Sequence, residues 1–332
     1  MLINDINNII YDMKLSFLIL DEVFDTGLTS MLDTLTLANE LTQEKEGKTP
    51  FDIQLIGVGK QVRSSLGFSI TVIPVKMMTR PDWVIVPAIN AKQPELLAQA
   101  LERSDIRQAK KQLNIWHKDG IKIAAACTGT FVLADSGILN GCEATTTWSL
   151  APFFRQRYPQ IKLDDSRLIK TSDNIVTAAA MMGHMDLALW FVRQVSLELA
   201  TLVARFMLID SRSSQTEYII PDYLAHYDPL IEKFERWCRD NLSQGFNLTR
   251  AADALHIHPR TLQRKTEIVL GKSPLAFFQD LRIERVRQLV LEGCHLEMIA
   301  NEVGYADSTT LRNLLQRKLG HTLREFRTNM FT

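Results

Sequence analysis

Two segments of the same build lie close together near the carboxyl end of this 332-residue chain. The first is LTRAADALHIHPRTLQRKTEIVLG at 248–271, and the second is LEMIANEVGYADSTTLRNLLQRKLG at 296–320. Each pattern predicts a short amphipathic helix, a tight turn, and a second helix rich in basic and amide side chains. The repeat therefore restricts this region to an all-α domain with two helix-turn-helix units.

Turn chemistry supports the helix boundaries in both copies. In the first copy, Pro259 fits the first helical position and His258 the preceding cap. In the second copy, Gly304 stands where a helix ends in a left-handed residue, and Asp307 is placed to cap the next helix. The predicted buried side chains are Ala251, Ala252 and Leu255 in the first copy, and Met298, Ile299, Val303, Leu311, Leu314 and Leu315 in the second.

The second helix of each unit is predicted to expose polar side chains on one face. In the first unit these are Arg260, Thr261, Gln263, Arg264 and Lys265. In the second unit they are Ser308, Thr309, Thr310, Arg312, Asn313, Gln316 and Arg317. Such a face can bond base edges and phosphates in the major groove of double-stranded DNA. Two units in tandem predict two contacts about one helical turn apart. The alternative, a helical bundle with a solvated charged face, does not explain the repeated turns.

This ordered set of elements resembles the AraC/XylS-type DNA-binding domain over residues 228–331. An opening helix (PLIEKFERWCRDNL) precedes the first unit, GKSPLAFFQDLRIERVRQLVLEG is similar to the family's long linker helix, and IANEVGYAD is close to its most recognisable run. The resemblance implies a DNA-binding domain at 228–332, a homodimer, and RNA polymerase as a candidate partner.

The chain departs from that family at a few positions. Arg264 matches the arginine expected in the first recognition helix, whereas Asn313 occupies the equivalent place in the second, beside Arg312. Thr266 stands where the family prefers an aromatic residue, and His321-Thr322 replaces a late Ser-Pro. These changes bear on the strength and the sequence preference of the contacts with DNA.

Charge and hydropathy fit this division of the chain. The formal net charge is zero, but from Arg250 onward there are 13 Lys and Arg against 9 Asp and Glu, a net of +4. A mildly basic end suits a phosphate-binding module. There is no apolar run near 18 residues and no signal peptide, and the four cysteines have no framework spacing. We therefore expect a cytoplasmic protein without a membrane partner, preceded by a polar arm at 1–12.

Buried-strand runs alternate with helices in the first two thirds of the chain. The strand candidates are 14–20 (KLSFLIL), 51–58, 83–86 (WVIV), 121–126 (IKIAAA) and 174–178. This alternation predicts an α/β fold with a mostly parallel, flavodoxin-like sheet between helices on both faces. We assign it to 13–210 and the linker to 211–227.

The run IKIAAACTGTFVLADSGILNG at 121–141 contains a candidate reactive cysteine. A buried strand ends at Ala126, and Cys127 begins a tight turn into a helix, the context of a nucleophile elbow. A helix N-terminus there is expected to lower the pKa of the thiol and to attract anions. With ATTTW and HMDLALWFV, this run resembles the PfpI-type, class I glutamine amidotransferase-like fold over about 14–208. That fold joined to an AraC-type domain implies a transcription regulator.

Catalysis at Cys127 would need partners that the sequence has altered. Relatives with a base carry a histidine at the position of Thr147, and threonine cannot take a proton near neutral pH. The family's early acid should fall near Thr26 or Gly27, with Asp25 close by. The turn that lends an oxyanion N–H is Pro87-Ala88-Ile89-Asn90 here. We therefore expect no catalytic residue and no enzyme activity.

A degenerate elbow can still bind a small molecule. The candidate pocket residues are Cys127, Thr128, Thr147, Trp148, Ala88 and Ile89. An amine- or amide-bearing metabolite is the expected effector, and neither a cofactor nor a metal is predicted. His256 and His258 lie at a helix-turn-helix turn, and Met181, Met182 and Met185 are predicted to be core residues. The alternatives are a thiol hydrolase or amidotransferase-like enzyme using Cys127, and an architectural DNA binder with a purely structural cysteine.

Overall fold

The computed structural model describes residues 13–209, 214–215, 218–225, 227–305 and 307–312. The chain divides into a first unit that ends at Thr216 and a second unit that starts at Glu217. The predicted arm at 1–12 lies outside the described residues. Among those that are described, no helix is long and apolar enough to cross a membrane.

A seven-stranded sheet forms the centre of the first unit. Its strands are β1 (Met13–Leu18), β2 (Phe51–Gly57), β5 (Ile73–Pro74), β6 (Trp83–Val86), β7 (Lys122–Ala126), β10 (Ile169–Ser172) and β11 (Ile175–Ala178). They lie in the order β10-β11-β7-β6-β1-β2-β5. All neighbours are parallel except the edge pair β10–β11. Two small ribbons pair β3 (Gln61–Arg63) with β4 (Ser69–Thr71), and β8 (Glu143–Ala144) with β9 (Lys162–Leu163).

Helices cover both faces of this sheet, as the α/β prediction requires. The helices of the first unit are α1 (Asp25–Glu46), α2 (Pro94–Leu101), α3 (Ser104–Lys118), α4 (Gly129–Ser136), α5 (Ala151–Arg157), α6 (Gly183–Val195) and α7 (Leu197–Phe206). In β6, Val84 and Val86 join one hydrophobic core, whereas Trp83 and Ile85 join the other. Successive strand residues point to opposite faces, so a strand buried on both sides is a continuous apolar run.

The structure differs from the sequence-based expectation at three places in this unit. The sequence predicts a helix over 30–41 and then a loop over QEKEGKTP, but α1 continues through this charged run to Glu46, where Gly47 ends it with a φ of 68°. The apolar run 186–208 predicts one long helix, but the structure has two, because Ser196 is extended and its side chain caps α7 by accepting from the Leu199 amide. The antiparallel strand β10 was not predicted, since its half-buried residues lack a continuous apolar pattern.

The second unit is helical and contains the two predicted helix-turn-helix units. Its helices are α8 (Pro221–Ala225), α9 (Pro229–Asp240), α10 (Leu248–Ala254), α11 (Pro259–Leu270), α12 (Pro274–Leu291) and α13 (Leu296–Glu302), and residues 308–312 are again helical. His258 caps α11 by accepting from the Arg260 amide, and Gly304 has a φ of 74°. The turn chemistry of both copies is therefore confirmed.

The expected burial of Met298 is wrong. Helix α13 buries Leu296, Ile299 and Ala300, and Val303 follows on the same face, whereas the Met298 side chain is 51% exposed. Positions i, i+3, i+4 and i+7 define the buried stripe of a helix. Met298 falls outside that stripe, so hydrophobicity alone does not place a side chain in the core.

Candidate functional site

The elbow at Cys127 is a strained turn between β7 and α4. Cys127 has a φ of 53°, a left-handed conformation that is unusual for a residue with a side chain. Both of its backbone groups are held: its N–H donates to Ala178 O at 2.8 Å, and its carbonyl accepts from Thr146 Oγ1 at 2.7 Å. A Cβ on Gly129 would lie 2.3 Å from Val86 O, so only glycine allows this close approach. The predicted strand–turn–helix geometry is present.

Burial controls the ionisation of the Cys127 thiol. The residue is 6% exposed, and desolvation raises the pKa of its thiol to about 11. Hydrogen bonds from the Thr128 amide and the Thr147 hydroxyl favour the thiolate, but they do not offset the loss of water. The expectation that the helix N-terminus lowers this pKa is therefore wrong, because the elbow is closed to solvent.

The predicted positions of an acidic partner for Cys127 have other roles in the structure. A Cβ on Gly27 would lie 2.7 Å from His184 Nε2, so the imidazole fills the space of a side chain there. Asp25 instead accepts from Ser65 Oγ at 2.7 Å and from the Leu66 amide at 2.9 Å. Its carboxylate thus fixes the β3–β4 connection to the start of α1 and is engaged away from the thiol.

His184 also occupies the backbone amide of the turn after β6. The Ala88 N–H donates to His184 Nε2 at 3.1 Å, while the other ring nitrogen, Nδ1, lies 2.7 Å from Met181 O. A nitrogen that accepts an N–H is unprotonated, so the proton is on Nδ1 and is donated to Met181 O. Burial lowers the pKa of this imidazole to about 4. The amide expected to serve as an oxyanion donor is therefore already bonded.

Contacts bring the six candidate pocket residues together at the carboxyl edge of the sheet. Thr128 Oγ1 donates to Ile89 O at 2.6 Å, and the Thr147 hydroxyl bonds the Cys127 thiol. Ala88 and Ile89 are buried, and Trp148 is half-buried. Ligands of open α/β sheets bind outside the carboxyl ends of the strands.

Two features at this edge were missed or misassigned from the sequence. Gln215, predicted to lie in the linker, is buried, and its side-chain amide bonds the backbone of Thr146 and Trp148. Met181 and Met182, predicted to be core residues, are 44% and 41% exposed. Neither feature has a local sequence signal, because each depends on which distant segments reach the same edge.

The exposed face of α11 agrees with the first predicted DNA contact. Arg260, Thr261, Gln263 and Arg264 are exposed, whereas Leu262 is buried. Thr266 is buried at the position where an aromatic residue was expected, and its hydroxyl donates to Leu262 O at 2.8 Å. Lys265 is half-buried, and its ammonium lies 2.7 Å from Asp228 Oδ2, so a phosphate would have to compete with that carboxylate.

The second contact surface is described only in its first turn. Asp307 accepts from the Thr310 amide at 2.7 Å and from its hydroxyl at 3.0 Å. Thr309, Thr310 and Arg312 are exposed, Ser308 is half-buried, and Leu311 is buried. The predicted contact residues Asn313, Gln316 and Arg317 lie outside the described residues, as do the expected core residues Leu314 and Leu315.

Arg282 on α12 joins the turn of the second helix-turn-helix to the segment before α10. Its guanidinium is buried and donates to Leu242 O at 2.8 and 3.2 Å, and to Gly304 O at 3.5 Å. It also stacks against Phe278 and Tyr305, with centroid distances of 4.7 and 4.8 Å. Gly304 belongs to the turn of the second helix-turn-helix. This arginine therefore fixes that turn against the segment that precedes the first helix-turn-helix.

Fold and site define a protein with a cysteine-elbow α/β domain followed by a tandem helix-turn-helix domain. The model of the DJ-1/PfpI family matches residues 13–194, more than half of the chain, and the chain belongs to that family. A helix-turn-helix domain model matches residues 251–329. Both resemblances noted in the sequence are thereby confirmed.

Several known proteins share this sequence pattern. The HTH-type transcriptional regulator GbdR of Pseudomonas aeruginosa (strain UCBPP-PA14) is 24% identical over 83% of this chain and 73% of its own length. The HTH-type transcriptional regulator ArgR of the same species is 23% identical over 63% of this chain and 65% of its own. A crystal structure from Vibrio parahaemolyticus superimposes with a TM-score of 0.50 at 19% identity, over 59% of this chain and 98% of that one. That likeness shows the shared fold of the first unit.

Proposed function

We propose that this protein is a sequence-specific DNA-binding transcription regulator whose DJ-1/PfpI-type domain senses a small molecule. The observation that carries the proposal is the α11 surface, where exposed Arg260, Gln263 and Arg264 stand over buried Leu262 in a capped helix-turn-helix. A second helix-turn-helix with its own caps follows along the chain, which supports two adjacent major-groove contacts. The regulators GbdR and ArgR provide support from the same combination of regions.

For the α/β unit we infer that it binds a small molecule and does not catalyse a reaction on it. A thiol with a pKa near 11 is almost entirely protonated at neutral pH and is a poor nucleophile. Thr147 provides no base, and the Ala88 amide is bonded to His184. The rival function, a thiol hydrolase using Cys127, would be supported by amide or aldehyde turnover that disappears in Cys127→Ala.

The effector is proposed to be a small amine- or amide-bearing metabolite beside Cys127, Thr128 and Trp148. It would act by binding one arrangement of the protein more tightly than another. Homodimerisation and contact with RNA polymerase are proposed on the resemblance to AraC/XylS-type regulators. Light scattering of the full chain with and without DNA tests the first of these.

Selection from a random duplex library tests the DNA-binding proposal and requires no assumption about the operator sequence. We expect enrichment of two short conserved blocks about one helical turn apart. The Arg264→Ala variant should lose the block read by α11 and keep the other. A library that shows no enriched sequence after repeated rounds with the wild-type protein would contradict the proposal.

A thermal-shift screen of amines, amides and their acids tests the sensing proposal. A ligand at a hundred times its Kd should stabilise the first unit by about 2.7 kcal/mol. The shift should vanish or shrink in Cys127→Ala, while DNA binding without ligand is kept. If an effector acts equally on wild type and Cys127→Ala, the pocket assignment is wrong. If none of the screened compounds stabilises the protein, an architectural DNA binder is favoured.

A further inference from the structure

Gln215, at the end of the first unit, bonds the segment 145–148 that packs against the Cys127 elbow. Its side chain is buried, with only 1% of the residue exposed. Its Nε2 donates to Thr146 O at 2.9 Å, and its Oε1 accepts from the Trp148 amide at 3.3 Å. One side chain therefore satisfies two backbone groups of segment 145–148, as a neighbouring strand would.

The backbone around Gln215 is fixed to the same region. The backbone N–H of Gln215 donates to Ser166 O at 3.0 Å, and Ser214 Oγ donates to the same carbonyl at 2.7 Å. Ser214 also forms an antiparallel bridge with Arg167. Glu217, only two residues further along the chain, begins the second unit. The connection between the units is thus anchored immediately before the DNA-binding part.

Segment 145–148 in turn contacts the elbow residue directly. Thr146 Oγ1 donates to Cys127 O at 2.7 Å, and the Thr147 hydroxyl bonds the Cys127 thiol. Thr145 Oγ1 donates to Arg167 O at 2.8 Å, so the segment and Ser214 share a neighbour. A continuous series of hydrogen bonds leads from Cys127 through Thr146 to Gln215.

We propose that Gln215 is a latch that ties the connection between the units to segment 145–148, and that a ligand beside Cys127 regulates DNA binding by displacing this segment and opening the latch. This inference rests on the proposed function and specifies its regulation. A buried amide that loses its partners is costly, so the latch favours two discrete states over a gradual change. Ligand binding changes their populations only through a difference in affinity between them.

The test uses the full chain and replaces the unknown effector by a change at the elbow. Gln215→Met and Gln215→Glu keep the length of the side chain, and each removes at least one of its hydrogen bonds. Gln160→Met is the matched control, because Gln160 is exposed and its side-chain amide donates to Asn140 Oδ1 at the surface, at 3.0 Å. Thr146→Val removes the hydroxyl that bonds Cys127 O and keeps the backbone carbonyl that Gln215 uses.

Hydrogen exchange measured by mass spectrometry reports the latch, and DNA anisotropy reports its consequence. In both Gln215 variants, peptides covering 214–215 should exchange roughly tenfold faster or more, while β7 keeps its protection. Affinity for the selected DNA should change by about threefold or more in Thr146→Val, and this change should disappear when Gln215→Met is also present. Gln160→Met should alter neither quantity.

Three outcomes would overturn the inference. Unchanged exchange at 214–215 in both variants would show that Gln215 does not hold the connection. An affinity change by Thr146→Val that is the same with and without Gln215→Met would show that the elbow acts by another route, and the absence of any affinity change would remove the coupling. If wild type binds selected and scrambled DNA equally, the proposed function fails and the regulatory role fails with it. The exchange comparison decides separately whether the latch exists.

Discussion

At the scale of single residues, the ionisation of Cys127 is decided by two opposing effects. The N-terminus of α4 and two hydrogen bonds favour the thiolate, whereas desolvation by burial favours the thiol. Burial is the larger effect, and the pKa of the thiol rises to about 11. The same strand–turn–helix geometry that activates a cysteine in an open site leaves this one protonated in a closed site.

Cys127 should therefore resist alkylation in the folded protein. At pH 7.4 a pKa of about 11 leaves roughly one thiol in 4,000 ionised, about a hundredfold less than for an ordinary cysteine. We expect iodoacetamide to label Cys127 at least about a hundredfold more slowly in buffer than in urea, measured by peptide mass spectrometry. Equal rates in the two solvents would contradict the buried, protonated thiol.

His184 provides a second prediction, on the dependence of stability on pH. Its pKa is about 4 in the folded protein and near 6.5 in the unfolded chain, so below pH 6.5 the unfolded state binds the extra proton. The neutral, buried imidazole therefore contributes to the free energy of unfolding. This stabilisation is fully present above pH 6.5 and is lost as the pH falls to 4, with a total of about 3 kcal/mol.

The variant His184→Gln isolates this effect, because glutamine does not titrate and its Oε1 can still accept from the Ala88 amide. Urea unfolding at pH 7.5, 5.5 and 4.5 should show a smaller acid-induced loss of stability for the variant than for wild type. The His117→Gln variant serves as control, because His117 is exposed on α3. Parallel curves for wild type and His184→Gln would refute the assignment.

The site was only partly predictable at this scale, for a physical reason. The elbow and the loss of a base at Thr147 depend on residues that are close in sequence, and both were recognised. The positions of His184 and Gln215 depend on contacts between residues more than 60 positions apart, such as that of Gln215 with Trp148. No local periodicity encodes such a contact, so these two groups became visible only in the folded chain.

At the scale of elements, α11 carries an exposed arginine beside a paired lysine. Arg264 is exposed, whereas the ammonium of Lys265 lies 2.7 Å from Asp228. We expect Arg264→Ala to weaken specific binding by about 1–3 kcal/mol. Lys265→Ala should cost less, because in wild type a phosphate must first displace the carboxylate. Anisotropy titrations on one duplex give both values, and a larger loss for Lys265→Ala would reverse this ranking.

Helix α12 carries the connection between the two helix-turn-helix units. Arg282→Met would remove the donor that bonds the buried Leu242 carbonyl and the part-buried Gly304 carbonyl, together with two cation–π contacts. We expect the free energy of unfolding of the C-terminal helical unit to fall by about 2–4 kcal/mol. Arg285→Met is the control on the same helix, since its ion pair with Glu302 is more exposed and should contribute less than about 1 kcal/mol. Denaturant unfolding that shows equal losses would contradict the role of Arg282.

Element boundaries were predictable where turn chemistry marks them. His258, Gly304 and Asp307 were assigned from residue type alone and have the expected roles. The break at Ser196 was missed because the apolar periodicity of the two helices continues across it. Met298 was misassigned because a seven-residue helix offers a narrow stripe, and one apolar neighbour lies beside it.

At the scale of the whole molecule, formal charge is distributed unevenly between the two parts of the chain. The chain from Arg250 onward has a net charge of +4, and the preceding part therefore has −4. Phosphate contacts by this basic part should make affinity fall linearly on logarithmic axes as salt rises. Such contacts give non-specific binding, and in the proposed function we expect the sequence preference to come from groups such as Arg264 and Arg312.

Sequence-specific recognition is tested most directly by anisotropy binding of the full chain to its selected duplex and to a scrambled duplex across a salt series. We predict that the selected sequence wins by roughly a thousandfold or more, and that Arg264→Ala and Arg312→Ala each reduce this ratio. Equal affinity for both duplexes, with the same dependence on salt, would contradict sequence-specific recognition. In that case the cysteine-elbow domain would have to be assayed as the principal function of the protein.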